Sequence, residues 1–136
     1  MSVRSAIRIR AATTEDAAEI ARVRNAATTD LTERFGRGHW STTVSPESVA
    51  RGIATSKVLV AVSGEGIVGT LRLLKKKPWA IDLAYFHIVP HPLHLVDMAV
   101  EPRHQHRGVG RRLLEAAQQT AEEMGADAIR LDAYDS

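Results

Sequence analysis

The chain has 136 residues, a length that one domain fills and two do not. Hydrophobic residues make up 44% and charged residues 25%, which excludes disorder as a description of the whole chain. Cysteine is absent, which removes disulfides, thiolate metal sites and cysteine nucleophiles together and fits a reducing, cytoplasmic setting. No apolar run approaches the ~20 residues that cross a bilayer, and Met1–Arg8 holds no apolar signal core, so no membrane partner is expected.

Ile7 and Ile9 alternate with Arg8 and Arg10, the period of a strand with one buried face. Thr13 or Thr14 caps a helix whose first turn carries Glu15 and Asp16, where negative charge suits the helix dipole. Ile20, Val23, Ala27 and Leu31 follow at helical spacing until Gly36 and Gly38 break it. Ser45-Pro46-Glu47 is a second helix start: an N-cap, proline in the first turn, then an acid.

Lys57–Ser63 is apolar on both faces and reads as an interior strand. Gly64-Glu65-Gly66 turns it into a second strand, Ile67–Leu74, antiparallel to the first. Lys75-Lys76-Lys77 guards the end of that strand. Tyr85–Val89 is a candidate short strand and Leu93–Val100 a clear one. Alternation along Leu93–Val100 places Asp97 on the face opposite His94 and Met98.

Val109, Leu113, Leu114, Ala117, Ala121 and Met124 then form one wide apolar helix face, ended by Gly125 at C′. Ile129, Leu131 and Ala133 alternate as a last strand. Strand, helix, strand in this order predicts a right-handed parallel crossover. The fold class is therefore α/β, with an antiparallel first part and a parallel end.

Lysine and arginine total 18 against 16 acids, a formal net charge of +2. The distribution says more than the sum. Arg103, His104, His106, Arg107, Arg111 and Arg112 crowd between positions 103 and 112, a local anion site in a balanced chain. Nucleic acid is a poor match, because only two each of Trp, Tyr and Phe are present to stack bases.

Within that stretch, Gln105-His106-Arg107-Gly108-Val109-Gly110 joins a strand to the strongest helix. A helix N-terminus offers four unpaired amides and a positive dipole end, and glycines there let a large anion reach the backbone. The physical reading is a pyrophosphate cradle. The dinucleotide fingerprint fails because position 113 is Leu, and the triphosphate loop fails because Arg111-Arg112 follows Gly110.

Gln-x-x-Gly-x-Gly after a strand ending Met98-Ala99-Val100-Glu101-Pro102 resembles motif A of the GNAT superfamily of acetyl-coenzyme A-dependent N-acetyltransferases. Gln105, Gly108 and Gly110 occupy its three defined positions, and the order of elements matches from Ile7 to Ala133. The resemblance implies a GNAT acyl-CoA N-acyltransferase fold: a mixed, mostly antiparallel sheet with helices on both faces and a parallel strand–helix–strand unit. It implies one N-acetyltransferase domain over 1–136, incomplete at the C-terminus.

It also implies that acetyl-CoA is the acyl donor and that the acceptor is a small-molecule or peptide amine. The amides of His106, Arg107, Gly108, Val109, Gly110 and Arg111 would hold the pyrophosphate. The backbone of Met98 and Val100 would pair with the pantetheine arm, and Arg103, Arg107 and Arg111 are candidates for the phosphates. The amine would attack the thioester directly in a ternary complex. His94 falls at the position of the catalytic base in part of the superfamily; it is either that base or a hydrogen-bonded strand histidine. No metal is expected, because His104-x-His106 lies in the anion loop. Trp40 and the Gly36–Gly38 loop fall where the superfamily shapes its acceptor pocket.

The general-acid tyrosine of the superfamily would lie past residue 136, and Tyr134 is too early to be equated with it. The last strand would then show a bare edge, covered either by further residues or by a second copy in a homodimer. The alternative to an enzyme is a non-catalytic acyl-CoA-binding sensor or regulatory module.

Overall fold

The structure, a computed structural model, describes residues 7–38, 41–75, 92–125 and 128–131. A single five-stranded sheet runs in the order β1 (Arg8–Ala11), β2 (Lys57–Ser63), β3 (Gly66–Leu74), β4 (Pro92–Val100) and β5 (Ala128–Leu131). The first three pairings are antiparallel and β4–β5 is parallel. Helices α1 (Ala17–Phe35) and α2 (Pro46–Thr55) cover one face, and α3 (Val109–Glu123) covers the other. The α/β expectation holds, with helices on both faces and a parallel β4–α3–β5 crossover. The candidate strand at Tyr85–Val89, Trp40, Lys76 and Lys77, and the predicted continuation of the last strand to Ala133 lie outside the described residues.

Local chemistry fixes the ends of the elements. The carboxylate of Asp16 accepts from the Thr13 amide at 2.8 Å and binds Arg10 at 2.8 Å. A short 3-10 turn over Thr14–Asp16 leads into α1. The hydrogen bonds from Arg10, helped by Thr13, hold the Asp16 carboxyl down at about 2 against its burial. The Ser45 hydroxyl accepts from the Ser48 amide at 3.1 Å and caps α2, with Pro46 in the first turn.

Helix α1 is pinned to the β2–β3 hairpin. Glu19 Oε2 accepts from the Ile67 amide at 2.9 Å. A Cβ on Gly66, whose φ is +111°, would collide with that same carboxylate oxygen. The residue must therefore be glycine twice over, for its backbone and for its neighbour.

Two apolar layers result. Leu59, Val68, Leu71, Leu73, Leu93 and Leu95 meet α3, while Val58, Val60 and Ile67 meet α1 and α2. The apolar face of α3 is narrower than its sequence suggests. Val109, Leu113, Ala117 and Ala121 are buried, one residue per turn, whereas Leu114 and Met124 are 39% and 43% exposed. Small residues at 117 and 121 let the helix sit close on the sheet, so the flanking positions swing out to solvent. Replacing Leu113, fully buried, by alanine should cost about 2–5 kcal/mol of stability. Leu114→Ala should cost well under about 1 kcal/mol. Urea denaturation of the two variants checks this, and equal losses would restore the wide face.

Candidate active site

An extra residue reshapes the end of β4. The β3–β4 register is Arg72↔Val96 and then Thr70↔Ala99, so Asp97 and Met98 stand opposite Leu71 alone. Asp97 has φ +58°, the left-handed conformation that aspartate tolerates better than most residues. This bulge inverts the pleat. Leu93 and Leu95 face α3, yet beyond the bulge it is Met98 and Val100 that approach the start of that helix. Asp97 therefore shares the α1–α2 face with His94, and the expectation of opposite faces is overturned. Unbroken alternation cannot cross a bulge.

His94 is 3% exposed and pairs across the sheet with Leu74 on one side and Arg130 on the other. Asp97 binds Arg24 of α1 at 3.1 Å and Arg72 of β3 at 3.4 Å. Val96–Val100 pair with β3 alone among the described residues, because the β4–β5 pairing covers Pro92–Leu95. The backbone of Met98 and Val100 thus turns one edge toward whatever lies beside it.

The anion loop begins at the end of this edge. Glu101 donates its amide to Val68 O at 2.8 Å, and a 3-10 turn over Pro102–His104 follows. His106 (φ +65°) and Gly108 (φ +84°) both adopt left-handed conformations, which turn the chain sharply into α3. Arg112 is the first residue whose amide bonds within α3, to Gly108 O at 3.0 Å. The amides of Gly108, Val109, Gly110 and Arg111 consequently have no acceptor inside the helix.

The two glycines serve different ends. A Cβ on Gly108 would meet nothing within 4 Å, so it is the positive φ alone that favours glycine there. A Cβ on Gly110 would lie 3.2 Å from Met98 Cε. That glycine admits the strand to the helix. Gln105 donates from Nε2 to Val100 O at 3.2 Å, tying the loop to the strand it leaves. The side chains of His106, Arg107 and Arg111 are exposed around the loop.

Sequence reasoning did not find the acid beneath this loop. Glu101 is 4% exposed and receives Arg103 at 2.8 Å and Arg22 at 3.1 Å. Arg22 also donates to Ile67 O at 3.2 Å, so it ties α1, β3 and the loop together. Arg103, a candidate phosphate ligand, spends its charge on Glu101. A lone glutamate after a strand carries no signal of this kind, because Arg22 is remote in the chain.

With this geometry the chain's relatives can be placed. The model of the acetyltransferase (GNAT) family matches residues 20–136. The chain belongs to the GNAT family. Among solved structures, a tetramutant of the BH1408 protein from Bacillus halodurans is 25% identical, with 94% of this chain and 83% of that one covered and a TM-score of 0.68. The PaiA N-acetyltransferase of Thermoplasma acidophilum, in complex with coenzyme A, is 17% identical over 98% of this chain and 80% of its own, with a TM-score of 0.72. YncA of Salmonella typhimurium, with its cofactor acetyl-CoA, is 24% identical over 89% and 66%, with a TM-score of 0.67. Curated protein sequences give no match. Membership makes acyl transfer the general chemistry of this GNAT domain. No helix among the described residues is long and apolar enough to cross a membrane.

The buried acid gives the domain a pH signature. Burial raises the Glu101 carboxyl, but hydrogen bonds from Arg103 and Arg22 outweigh it and the net shift is downward from 4.5. A depressed folded-state pKa contributes stability above the ordinary carboxylate range, and that stability is lost as pH falls through the lowered value. Glu101→Gln should therefore flatten the acid limb of stability below about pH 4.5 and destabilise the domain at neutral pH. Denaturation midpoints across pH 2–7 check it, and an unchanged acid limb would remove Glu101 from that role.

Proposed function

We propose that this protein moves an acetyl group from acetyl-CoA to a primary amine by direct attack in a ternary complex, with His94 as the general base. The observation that carries the reading is the loop at the start of α3. Its helix-start amides face open space at Gly108, and it adjoins Met98 and Val100, which pair with β3 alone among the described strands. Such a surface suits a ligand that joins a pyrophosphate to an extended, amide-bearing arm. The coenzyme A and acetyl-CoA held by the Thermoplasma and Salmonella relatives support the same reading. Acetyl-CoA supplies the activated acyl group.

The residues then divide the work. His106, Arg107, Gly108, Val109, Gly110 and Arg111 hold the pyrophosphate through amides and exposed charge, Gln105 holds that loop to β4 through Val100 O, and Met98 and Val100 fix the arm by backbone hydrogen bonds. An attacking amine must first lose a proton, because an ammonium has no lone pair. Histidine is the side chain whose ordinary pKa near 6.5 matches that task at neutral pH. His94 stands on the strand that would carry the thioester, on the α1–α2 face. Attack forms the N–C bond, the C–S bond breaks, and the thiolate leaves. A backbone amide of β4 directed at the thioester carbonyl steadies the oxyanion.

Acetyl-CoA should raise the melting temperature by mass action. Gly108→Glu, which puts a side chain and a negative charge at the mouth of the cradle, should abolish that rise. Thermal shift measures both, and undiminished stabilisation of the variant would sink the cradle. His94→Ala should lose roughly 10²–10⁴-fold in turnover with coenzyme A affinity unchanged, and wild-type kcat/KM should rise with pH through one ionisation that the variant lacks. A variant with wild-type turnover on an amine panel, followed by mass spectrometry, would leave His94 a structural residue.

A further inference from the structure

A cleft opens on the α1–α2 face of the sheet, walled by Ile20, Val49 and Val58 and carrying Arg24, Arg72 and Asp97. It is shallow and open to solvent, with a cavity volume of about 20 Å³, room for one small polar group. Two guanidiniums meet one carboxylate there. Asp97 Oδ1 lies 3.1 Å from Arg24 Nη2, and its Oδ2 lies 3.4 Å from Arg72 Nη1. Among the described residues that line the cleft, Asp97 is the one acid. The described residues of the lining carry one surplus positive charge.

Arg72 is seated with care for a residue in the middle strand of a sheet. Its Nε donates to Ser56 Oγ at 2.7 Å, and that hydroxyl donates to Gly52 O at 2.6 Å. A Cβ on Gly52 would lie 3.3 Å from both Cζ and Nε of Arg72, so the guanidinium rests on bare backbone. The fork is thereby fixed, and donors remain on both arginines beyond those spent on Asp97 and Ser56. A partly buried cation among apolar walls is costly without a counter-ion, and a fixed guanidinium fork matches a planar carboxylate. Arg72 lies opposite Val96, two residues along β4 from His94, on the face that His94 and Asp97 share.

We propose that this cleft receives a carboxylate on the acceptor, so that the amine acetylated is amino-acid-like: an amine and a carboxylate on one small molecule. The inference rests on the preceding reading in that the acceptor approaches the α1–α2 face. Arg24 and Arg72 are its anion ligands, and Asp97 orients them while holding down their charge.

Calorimetry on the full chain saturated with coenzyme A tests it. The probes are the standard amino acids, each paired with its own α-carboxamide. At least one acid should bind about tenfold or more tightly than its amide. Arg24→Gln should bring that ratio close to one. Asp97→Asn keeps a residue that tolerates positive φ and adds one positive charge to the cleft, so it should tighten the acid several-fold and leave the amide unchanged. A misfolded variant cannot produce such a gain.

Equal affinities within every pair, no binding by any acid at millimolar concentration, or weaker acid binding by Asp97→Asn would each overturn the proposal. Acetylation of the same probes, followed separately, keeps the two readings apart. Preferred binding of acids without acetylation leaves the anion seat standing and removes the transferase reading. Acetylation of amines with no preference for the carboxylate does the reverse.

Discussion

One inserted residue in β4 decides which way every later side chain of that strand points. Without the bulge at Asp97, the parity set by Leu93 and Leu95 would carry Met98 and Val100 to the α1–α2 face and bring Asp97 against α3. With it, apolar residues meet α3 on both sides of the kink, and a carboxylate emerges between Arg24 and Arg72. A positive φ on a non-glycine residue costs on the order of 1 kcal/mol. The two ion pairs and the restored packing offset it. The same bulge sits just before the end of β4, where the chain enters the loop that opens α3.

The two apolar layers are joined through β2 and β3, whose alternate residues supply each side. Charged contacts then lock the helices in place. Glu19 and Arg22 fasten α1 to the β2–β3 hairpin and to Glu101, and Arg24 reaches the bulge from the same helix. Three positions within one and a half turns of α1 therefore reach the hairpin, the anion loop and the bulge. Packing and site geometry are one problem in this domain.

Much of this was legible in the sequence, and the reasons for the gaps are physical. Lys57–Ser63 could be read to the residue because a strand buried on both faces is bounded by polar turns. Ser45-Pro46-Glu47 announced α2 because capping is chemistry between near neighbours. The strand–loop–helix turn into α3 was legible because its glycines and the helix that follows are contiguous. The face of Asp97 was not, since a bulge breaks the period on which alternation rests. The Arg22–Glu101 pair, the Arg72 seat on Gly52 and the exposure of Leu114 depend on how distant elements settle against each other, and no local pattern encodes that.

Val109 is both the first residue of α3 and a member of the core, at 2% exposure, and Gln105 anchors the other end of the loop to Val100 O. The loop between them spans only a few residues. Its shape is set when the domain folds, so the entropy of ordering it is met then and not at the moment an anion arrives. On the proposed reading, the phosphates of the acyl donor would meet a loop already held at both ends, and association would be governed by encounter and charge.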